Sequence, residues 1–283
     1  MSRIVPTKIN CPKCGRISSY ECYTSVNVSV DPHLREAILG GSFYCRCCPK
    51  CRHHFDVEQD LLYHDMRGRF CVWTKIPDES GIPKLEPGTE KAASKFQGYQ
   101  TRIVSGRNDL VEKIKLADDG HDDVTIETIK LFLSIKDRID LNAMFFYDRT
   151  ETADSSEDTI EFVLFLKGSN KQQYRLNLEQ ACQRVEPYIG QIRSALETKW
   201  GPWTWVTRTT IIEALQDCGL GHKIEGKAIR VQHLSTTGNK VETWVVGRDV
   251  DQATVDEWLD VDSQEIYIMS FYKNGHPGLP PKN

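Results

Sequence analysis

Cys45-Arg46-Cys47-Cys48-Pro49-Lys50-Cys51 is the stretch that decides how the N-terminal part of this chain folds. Its last four residues repeat a tetrapeptide found upstream, Cys11-Pro12-Lys13-Cys14. In each copy the proline favours the first corner of a tight turn, which brings two thiolates close together. Four thiolates can surround one zinc ion at Zn–S distances of about 2.3 Å. The sequence therefore predicts a structural zinc ion bound by Cys11, Cys14, Cys48 and Cys51.

The residue that follows each motif differs between the two copies. Gly15 can adopt a positive φ angle at no steric cost, and the chain often needs that conformation on leaving such a turn. The second copy has Arg52 at this position. We therefore expect backbone strain of about 1 kcal/mol at most at Arg52.

The two motifs lie farther apart than in a plain zinc ribbon. Thirty-three residues separate Cys14 from Cys48, whereas about 15–20 is usual. The intervening stretch 17–30 is rich in β-branched and aromatic residues, which favours a strand. Asp31-Pro32 is typical of a helix start, with Asp31 as the cap, and Gly40-Gly41 of a helix end. We call the Cys-Pro-Lys-Cys turns at residues 11–14 and 48–51 the two knuckles. We therefore predict a zinc ribbon with a strand and a short helix inserted between them.

The composition is typical of a soluble protein, and the net charge does not favour nucleic acid or anionic lipid as a partner. The 283 residues are 39% hydrophobic and 27% charged, with a formal net charge of −4, so no global positive field attracts nucleic acid or anionic lipid. No apolar run is long enough to cross a bilayer, and we expect no membrane partner. The first residues lack the apolar core of a signal peptide. We therefore expect the ten cysteines to serve as metal ligands and buried thiols in a reducing cytoplasm.

The predicted fold class is α+β, with three structured parts. A zinc-ribbon domain is expected over residues 1–76, and a linker rich in proline, glycine and charge over 77–98. A mixed α/β region is expected over 99–220 and a small α+β appendix over 221–283.

Periodicity and turn signals locate the elements that follow the ribbon. Helices are predicted over 108–115, 123–135, 177–200 and 207–217, the third interrupted near Pro187 and Gly190. Strands are predicted over 143–147 and 159–166. The appendix is expected to contain a hairpin over 228–234 and 240–246, a helix over 252–259 and a strand over 265–272.

With these motifs in place, the chain resembles the CpXC-domain proteins, a prokaryotic family named for its repeated motif. The resemblance rests on Cys11–Gly15, Ser25-Val26-Asn27 leading to Asp31-Pro32, Cys48–Cys51 and Leu61-Leu62-Tyr63-His64-Asp65, and runs on more weakly through Gly120–Asp123 to about residue 218. It implies a zinc-binding role for the four motif cysteines. It implies no activity, because the family has no assigned one. Cys45 and Cys47 depart from the family's pattern.

The remaining cysteines and the nearby histidines admit more than one interpretation. Cys22, Cys45, Cys47 and Cys71 either form a second metal site or redox pair, or are small buried apolar residues, which is the commoner role of a free cysteine. His53 or His54 could replace a thiolate and open a catalytic position, but four cysteines already fill a tetrahedron.

Three other features are better explained by structure than by catalysis. His64 and Asp65 are neighbours on a predicted strand, where they point to opposite faces and cannot act as an acid–base pair. The acidic stretch 118–123 lacks the spacing of a calcium loop and is expected to cap a helix. Trp200, Trp203 and Trp205 are expected to pack a corner between helices rather than to form a binding platform.

These features favour a non-catalytic intracellular interaction or adaptor module whose zinc ion fixes a surface for another protein. The second reading is a nucleic-acid-binding ribbon that uses Arg3, Lys8, Lys13, Arg16, Arg46, Lys50 and Arg52. Net charge and the lack of an aromatic–basic RNA signature weigh against it. A hydrolase or thiol-redox enzyme comes third. We predict no catalytic residue and no cofactor besides Zn²⁺.

Overall fold

The computed structural model describes residues 2–76, 83, 96–137, 139, 141, 143–151, 158–166 and 170–218, and beyond these the backbone of five strands. It divides into two compact units. Unit one comprises Met1–Ala117 and Trp200–Trp205, and unit two comprises Asp118–Lys199 and Val206–Asn283. Helices and sheets are mixed in the described chain, which confirms the predicted α+β class.

Unit one is built on a five-stranded sheet and a separate two-stranded hairpin. In chain order its elements are β1 (Arg3–Asn10), β2 (Ile17–Asn27), α1 (Pro32–Leu39), β3 (Cys45–Cys47), β4 (His54–Asp56), β5 (Leu61–Asp65), β6 (Phe70–Thr74), β7 (Gln100–Val104) and α2 (Arg107–Asp118). The large sheet has the order β1-β2-β5-β6-β7, and β3 pairs only with β4 among the described strands. The pairs β2–β5 and β6–β7 are parallel, and the others are antiparallel.

The core of unit one lies between the large sheet and its two helices. The buried side chains are Val26, Val28, Leu34, Ile38, Phe43, Tyr44, Leu61, Tyr63, Phe70, Val72, Val104, Leu110 and Ile114. The short helix predicted after Asp31 is confirmed as α1, which buries Leu34 and Ile38. Asp31 precedes this helix without capping it. Its carboxylate instead accepts a hydrogen bond from Ser2 Oγ at 2.6 Å.

The large sheet extends past the boundary that we predicted at residue 76. β7 pairs with β6 in parallel, from Phe70↔Gln100 to Thr74↔Val104, and α2 follows within the same unit. The compact unit therefore continues to Ala117, whereas the sequence prediction ended the ribbon domain at residue 76. Residues 77–82 and 84–95 of the predicted linker lie outside the described residues.

Unit two begins with three helices and a three-stranded antiparallel sheet. Its elements are α3 (Asp123–Lys136), β8 (Phe145–Glu151), β9 (Thr159–Phe165), β10 (Lys171–Asn177), α4 (Leu178–Trp200) and α5 (Arg208–Asp217), and its sheet has the order β10-β9-β8. The predicted helices and the first two strands are confirmed. β10 was not predicted, because its sequence KQQYRLN has few apolar residues.

α4 is one continuous helix, although we predicted an interruption near Pro187 and Gly190. Its buried residues Ala181, Val185, Tyr188, Ile192 and Leu196 recur every three or four positions across the proline. This apolar face keeps the helix in place, because packing outweighs the hydrogen bond that proline removes.

The described part of the appendix is a second five-stranded sheet. The strands β11 (Gly221–Ile224), β12 (Ala228–Leu234), β13 (Lys240–Gly247), β14 (Glu265–Phe271) and β15 (Pro277–Gly278) neighbour one another in chain order. The predicted β12–β13 hairpin is confirmed, and β14 joins β13 in parallel. The helix predicted over 252–259 lies outside the described residues.

Candidate metal centre

Each Cys-Pro-Lys-Cys motif forms the tip of an antiparallel hairpin. The first tip joins β1 to β2, where Asn10 pairs with Ile17. The second joins β3 to β4, where Cys47 pairs with His54. The turn of a hairpin lies outside the sheet and is not bound by its hydrogen-bond pattern. The cysteines of both turns can therefore lie close together.

The two tips have the same backbone hydrogen bonds. Cys11 N donates to Arg16 O at 2.9 Å, and Cys48 N donates to His53 O at the same distance. In both motifs the first cysteine is thus held by the residue five positions later. The identical sequence Cys-Pro-Lys-Cys therefore folds into the same turn twice.

The position after each motif has a left-handed backbone, as predicted. Gly15 has φ 69° and Arg52 has φ 60°. The Gly15 N–H donates to Cys11 O at 3.0 Å, and the Arg52 N–H donates to Cys48 O at 2.9 Å. Glycine adopts this left-handed conformation without strain in the first knuckle. Arginine adopts the same conformation in the second, where its Cβ atom makes it strained.

The four motif cysteines converge on one point. Their sulfur atoms all lie within 4.8 Å of one another. The Sγ atoms of Cys11 and Cys51 are 3.7 Å apart, as are those of Cys14 and Cys48. Four sulfurs arranged tetrahedrally at about 2.3 Å from one ion would be about 3.8 Å apart. The spacing therefore fits a closed four-thiolate centre.

Backbone N–H groups favour the thiolate form of Cys48, and burial opposes it. Cys11 and Cys48 are 1% and 0% exposed. The backbone N–H groups of Cys51 and Lys50 lower the pKa of Cys48 to about 6, although burial opposes this shift. At Cys51 the N–H of His53 lowers the pKa, but burial and the neighbouring thiols outweigh it and raise the pKa to about 11. The neighbouring thiols thus oppose a further negative charge at Cys51, and a cation bound between the four sulfurs would favour the thiolate form of all of them.

An aromatic contact that the sequence analysis missed joins the two hairpins. Tyr20 of β2 meets Phe55 of β4 edge to face, with ring centroids 6.1 Å apart. The Tyr20 hydroxyl donates to Cys47 O at 3.4 Å. Alternation along β2 was the available signal, but a single strand does not reveal which hairpin lies opposite it.

The other cysteines and His53 do not reach this centre. Cys22 and Cys71 are buried, and burial raises the pKa of Cys71 to about 12. The His53 ring stacks on Phe55 with centroids 6.4 Å apart. Within the described part of the chain, no second group of three or more His, Cys, Asp or Glu side chains converges in the same way.

His64 and Asp65 do not form an acid–base pair. The His64 ring packs against Phe96 and Tyr99, with centroids 5.3 and 5.4 Å away, and burial lowers its pKa. Asp65 instead accepts hydrogen bonds from Ser29 Oγ and from backbone N–H groups of the turn that follows. Both side chains have structural roles.

The tryptophan cluster lies in the connection between α4 and α5, as predicted, but its buried member packs against β6 rather than between the two helices. Trp203 is buried against Trp73 and Phe96. Trp200 and Trp205 meet edge to face with centroids 5.4 Å apart. These rings support unit one and offer no open platform.

The acidic stretch caps α3, also as predicted. Asp122 Oδ2 accepts a hydrogen bond from Thr125 N at 2.9 Å. Asp119 accepts one from the Tyr147 hydroxyl. The carboxylates are thus used to start a helix and to tie it to β8.

The family model described as CpXC protein matches residues 9–130. The matched segment includes both knuckles and extends through α2 into α3. Neither among curated proteins nor among solved structures is there a significant match. None of the described helices is both long and apolar enough to cross a membrane.

Proposed function

The chain carries a CpXC domain over residues 9–130, and on this premise we propose that Cys11, Cys14, Cys48 and Cys51 hold one structural Zn²⁺ ion. The observation that carries the proposal is the mutual approach of four thiols within 4.8 Å. Four thiolates in a tetrahedral arrangement are typical of structural zinc. When bound, the ion would neutralise the thiolates and cross-link the two hairpins.

A centre of this kind is non-catalytic. Catalytic zinc needs an open position for water or substrate, whereas four cysteines occupy every position of a tetrahedron. The ion would therefore act by fixing the relative positions of the hairpin tips. We infer an intracellular interaction or adaptor module in which the tips form the binding surface.

The exposed side chains at the two tips indicate the partner. Lys13 and Arg16 are exposed on the first tip, and Lys50 and Arg52 are exposed on the second. Zinc brings these four cations together on a chain whose overall formal charge is −4. The proposed partner is a protein with an acidic segment, which such a surface would attract and orient.

Metal analysis tests the zinc ion. The protein, purified and exchanged through a mild chelator, should retain about one equivalent of zinc. Cys48→Ser should retain none, because removing one thiolate opens the tetrahedron. Retention of a different metal would change the assignment of the ion, and a metal-free wild-type protein would refute the centre.

Charge reversal tests the surface. The variant Lys13→Glu/Lys50→Glu should keep its zinc and lose proteins that co-purify with the wild-type chain. Arg67→Glu is the matched control, because Arg67 is exposed and lies near Ser29, at the end of β2 far from the knuckle. Equal capture by all three proteins would exclude the hairpin tips as the interface.

The same four exposed cations support nucleic-acid binding as the second candidate function. Phosphate contacts from a few basic side chains should give salt-dependent, non-specific binding, with Kd no tighter than about 10⁻⁵ M at physiological salt. Fluorescence anisotropy with mixed DNA and RNA oligonucleotides over a salt series measures this. Sub-micromolar, sequence-dependent binding would reverse the order of the two candidates.

A further inference from the structure

One face of the β3–β4 hairpin carries two thiols and an imidazole that the four-cysteine centre does not use. The register pairs Cys45 with Asp56 and Cys47 with His54. Residues that are paired across a hairpin, or two apart along a strand, share a face. Cys45, Cys47 and His54 therefore lie on one side of the hairpin.

The pairing geometry brings Cys47 and His54 close together. Cys48 N donates to His53 O at 2.9 Å, which marks Cys48–His53 as a hydrogen-bonded position. Such positions alternate with non-hydrogen-bonded ones, so the next pair, Cys47–His54, is non-hydrogen-bonded. Side chains approach most closely in pairs of this type, with Cβ atoms about 4.5–5.5 Å apart.

Cys45 reaches the same histidine from the diagonal position. Its Sγ lies 3.8 Å from His54 Nδ1, and both residues are exposed. A thiolate and an imidazole nitrogen bound to one tetrahedral ion at about 2.3 and 2.0 Å would be about 3.6 Å apart. The two ligand atoms are thus already spaced as they would be around a metal ion.

The third ligand needs one side-chain rotation. Cys47 Sγ lies 3.9 Å from Cys48 O, pointing along the strand rather than across it. The proposed site requires a change of χ1 to another staggered position that would bring this thiol toward His54. This rotation explains why the three ligand atoms are not already clustered.

We propose that Cys45, Cys47 and His54 form a second metal site, for a thiophilic divalent cation such as Zn²⁺ or Cd²⁺. Cys45 and Cys47 would bind as thiolates, each releasing its proton to solvent, and His54 through Nδ1 of the neutral ring. Thiolate and imidazole together select this class of ion over calcium or magnesium.

The site is separate from the four-cysteine centre and has an open position. Cys48 follows β3, and its Sγ lies 3.7 Å from that of Cys14 in the four-cysteine centre. Asp56 shares the face but accepts a hydrogen bond from Arg107. Three protein ligands on an exposed hairpin leave a fourth position for solvent, which makes the ion exchangeable, unlike the ion held by four buried or half-buried thiols.

Titration of the reduced full-length chain with Cd²⁺ alone tests the proposal. Cadmium–thiolate absorbance measures stoichiometry, and cadmium-113 NMR distinguishes a four-sulfur environment from a mixed sulfur–nitrogen one. The wild-type chain should bind two equivalents with two resonances. A moderate chelator should remove only the mixed-ligand ion. In Cys45→Ser and in His54→Asn the second site should weaken by about tenfold or more, with the four-sulfur resonance intact.

His53→Asn and Cys182→Ser are the matched controls. His53 neighbours His54 but stacks on Phe55, and Cys182 is half-buried in α4, so both variants should bind two equivalents. A single equivalent in the wild-type chain would overturn the proposal, as would a second equivalent that survives both site variants. Loss of the four-sulfur resonance in both site variants would also overturn it, because the two sites would then not be independent. A wild-type chain without the four-sulfur resonance would instead contradict the proposed structural zinc.

Discussion

At the scale of single residues, the two knuckles form an internal comparison of glycine and arginine in one backbone conformation. Gly15 and Arg52 occupy equivalent positions with φ 69° and 60°. A Cβ atom built on Gly15 would meet nothing within 4 Å. Any cost of a side chain there is therefore backbone strain and not a clash.

Arg52→Gly should relieve that strain. Because zinc binding and folding of the knuckle are coupled, about 1 kcal/mol of relief should appear as an apparent zinc affinity about fivefold higher. Gly15→Ala should lower the affinity by a similar factor. Competition with a chelator at fixed pH measures both variants.

Arg52→Ala is the control for the lost charge, because alanine removes the guanidinium group and keeps the strained backbone. An equal gain in affinity from Arg52→Ala would attribute the effect to charge rather than to conformation.

At the scale of elements, α4 contains a proline that removes one of its backbone hydrogen bonds. Pro187 is exposed within the helix, where it lacks a backbone donor and its ring crowds the preceding turn. Pro187→Ala should therefore raise the free energy of unfolding by about 1–3 kcal/mol. Chemical denaturation followed by far-ultraviolet circular dichroism measures the change.

Gly190→Ala provides the comparison in the same helix. A Cβ atom at Gly190 meets nothing within 4 Å, so this variant should gain about 0.5–1 kcal/mol from propensity alone. If Pro187→Ala instead lowers the free energy of unfolding, Pro187 stabilises the protein through an interaction other than helix propensity.

The elements that the sequence predicted well are those with a repeating apolar face. In the sequences of α1 and α3, apolar residues recur at helical spacing, so the positions of both helices followed from periodicity. β1 and β10 were missed because both are edge strands. β1 contains Pro6 and two basic residues, and only three of its eight residues are partly buried. Edge strands are exposed on more sides, so they need not alternate polar and apolar residues.

The convergence of the four cysteines was easier to predict than the extent of the unit that contains them. Each knuckle is defined by four consecutive residues, and the duplicated motif indicated the pairing of the knuckles. By contrast, β6 and β7 are parallel neighbours with 25 residues between them in the chain. Ile103 N donates to Thr204 O at 3.1 Å across a still longer separation. Local patterns contain no information on such pairings, so the sequence-based boundary fell at residue 76.

At the scale of the whole molecule, the division into two units predicts which part of the chain unfolds when the metal is removed. The domain boundary predicted at residue 76 would confine unfolding to the residues before the linker. The structure moves that limit, because β7 and α2 share a sheet and a core with β5 and β6. Unfolding that begins at the knuckles is therefore expected to extend to Ala117 and to the segment Trp200–Trp205, but not to the helices of unit two.

Chelation, or Cys48→Ser, should accordingly unfold unit one in part or in full while α3, α4 and α5 stay protected. Structural zinc contributes on the order of 10 kcal/mol of apparent folding free energy, which exceeds what a small unit can lose and remain folded. Amide hydrogen exchange resolved by segment, with and without chelator, measures the extent. The strands β1 to β4 should exchange first, since they hold the knuckles, and β5 to β7 should follow if the sheet is cooperative. Loss of protection in β5 and β6 with protection retained in β7 and α2 would restore the sequence-based limit at residue 76. Loss of protection in α3 and α4 as well would show that the two units unfold as one.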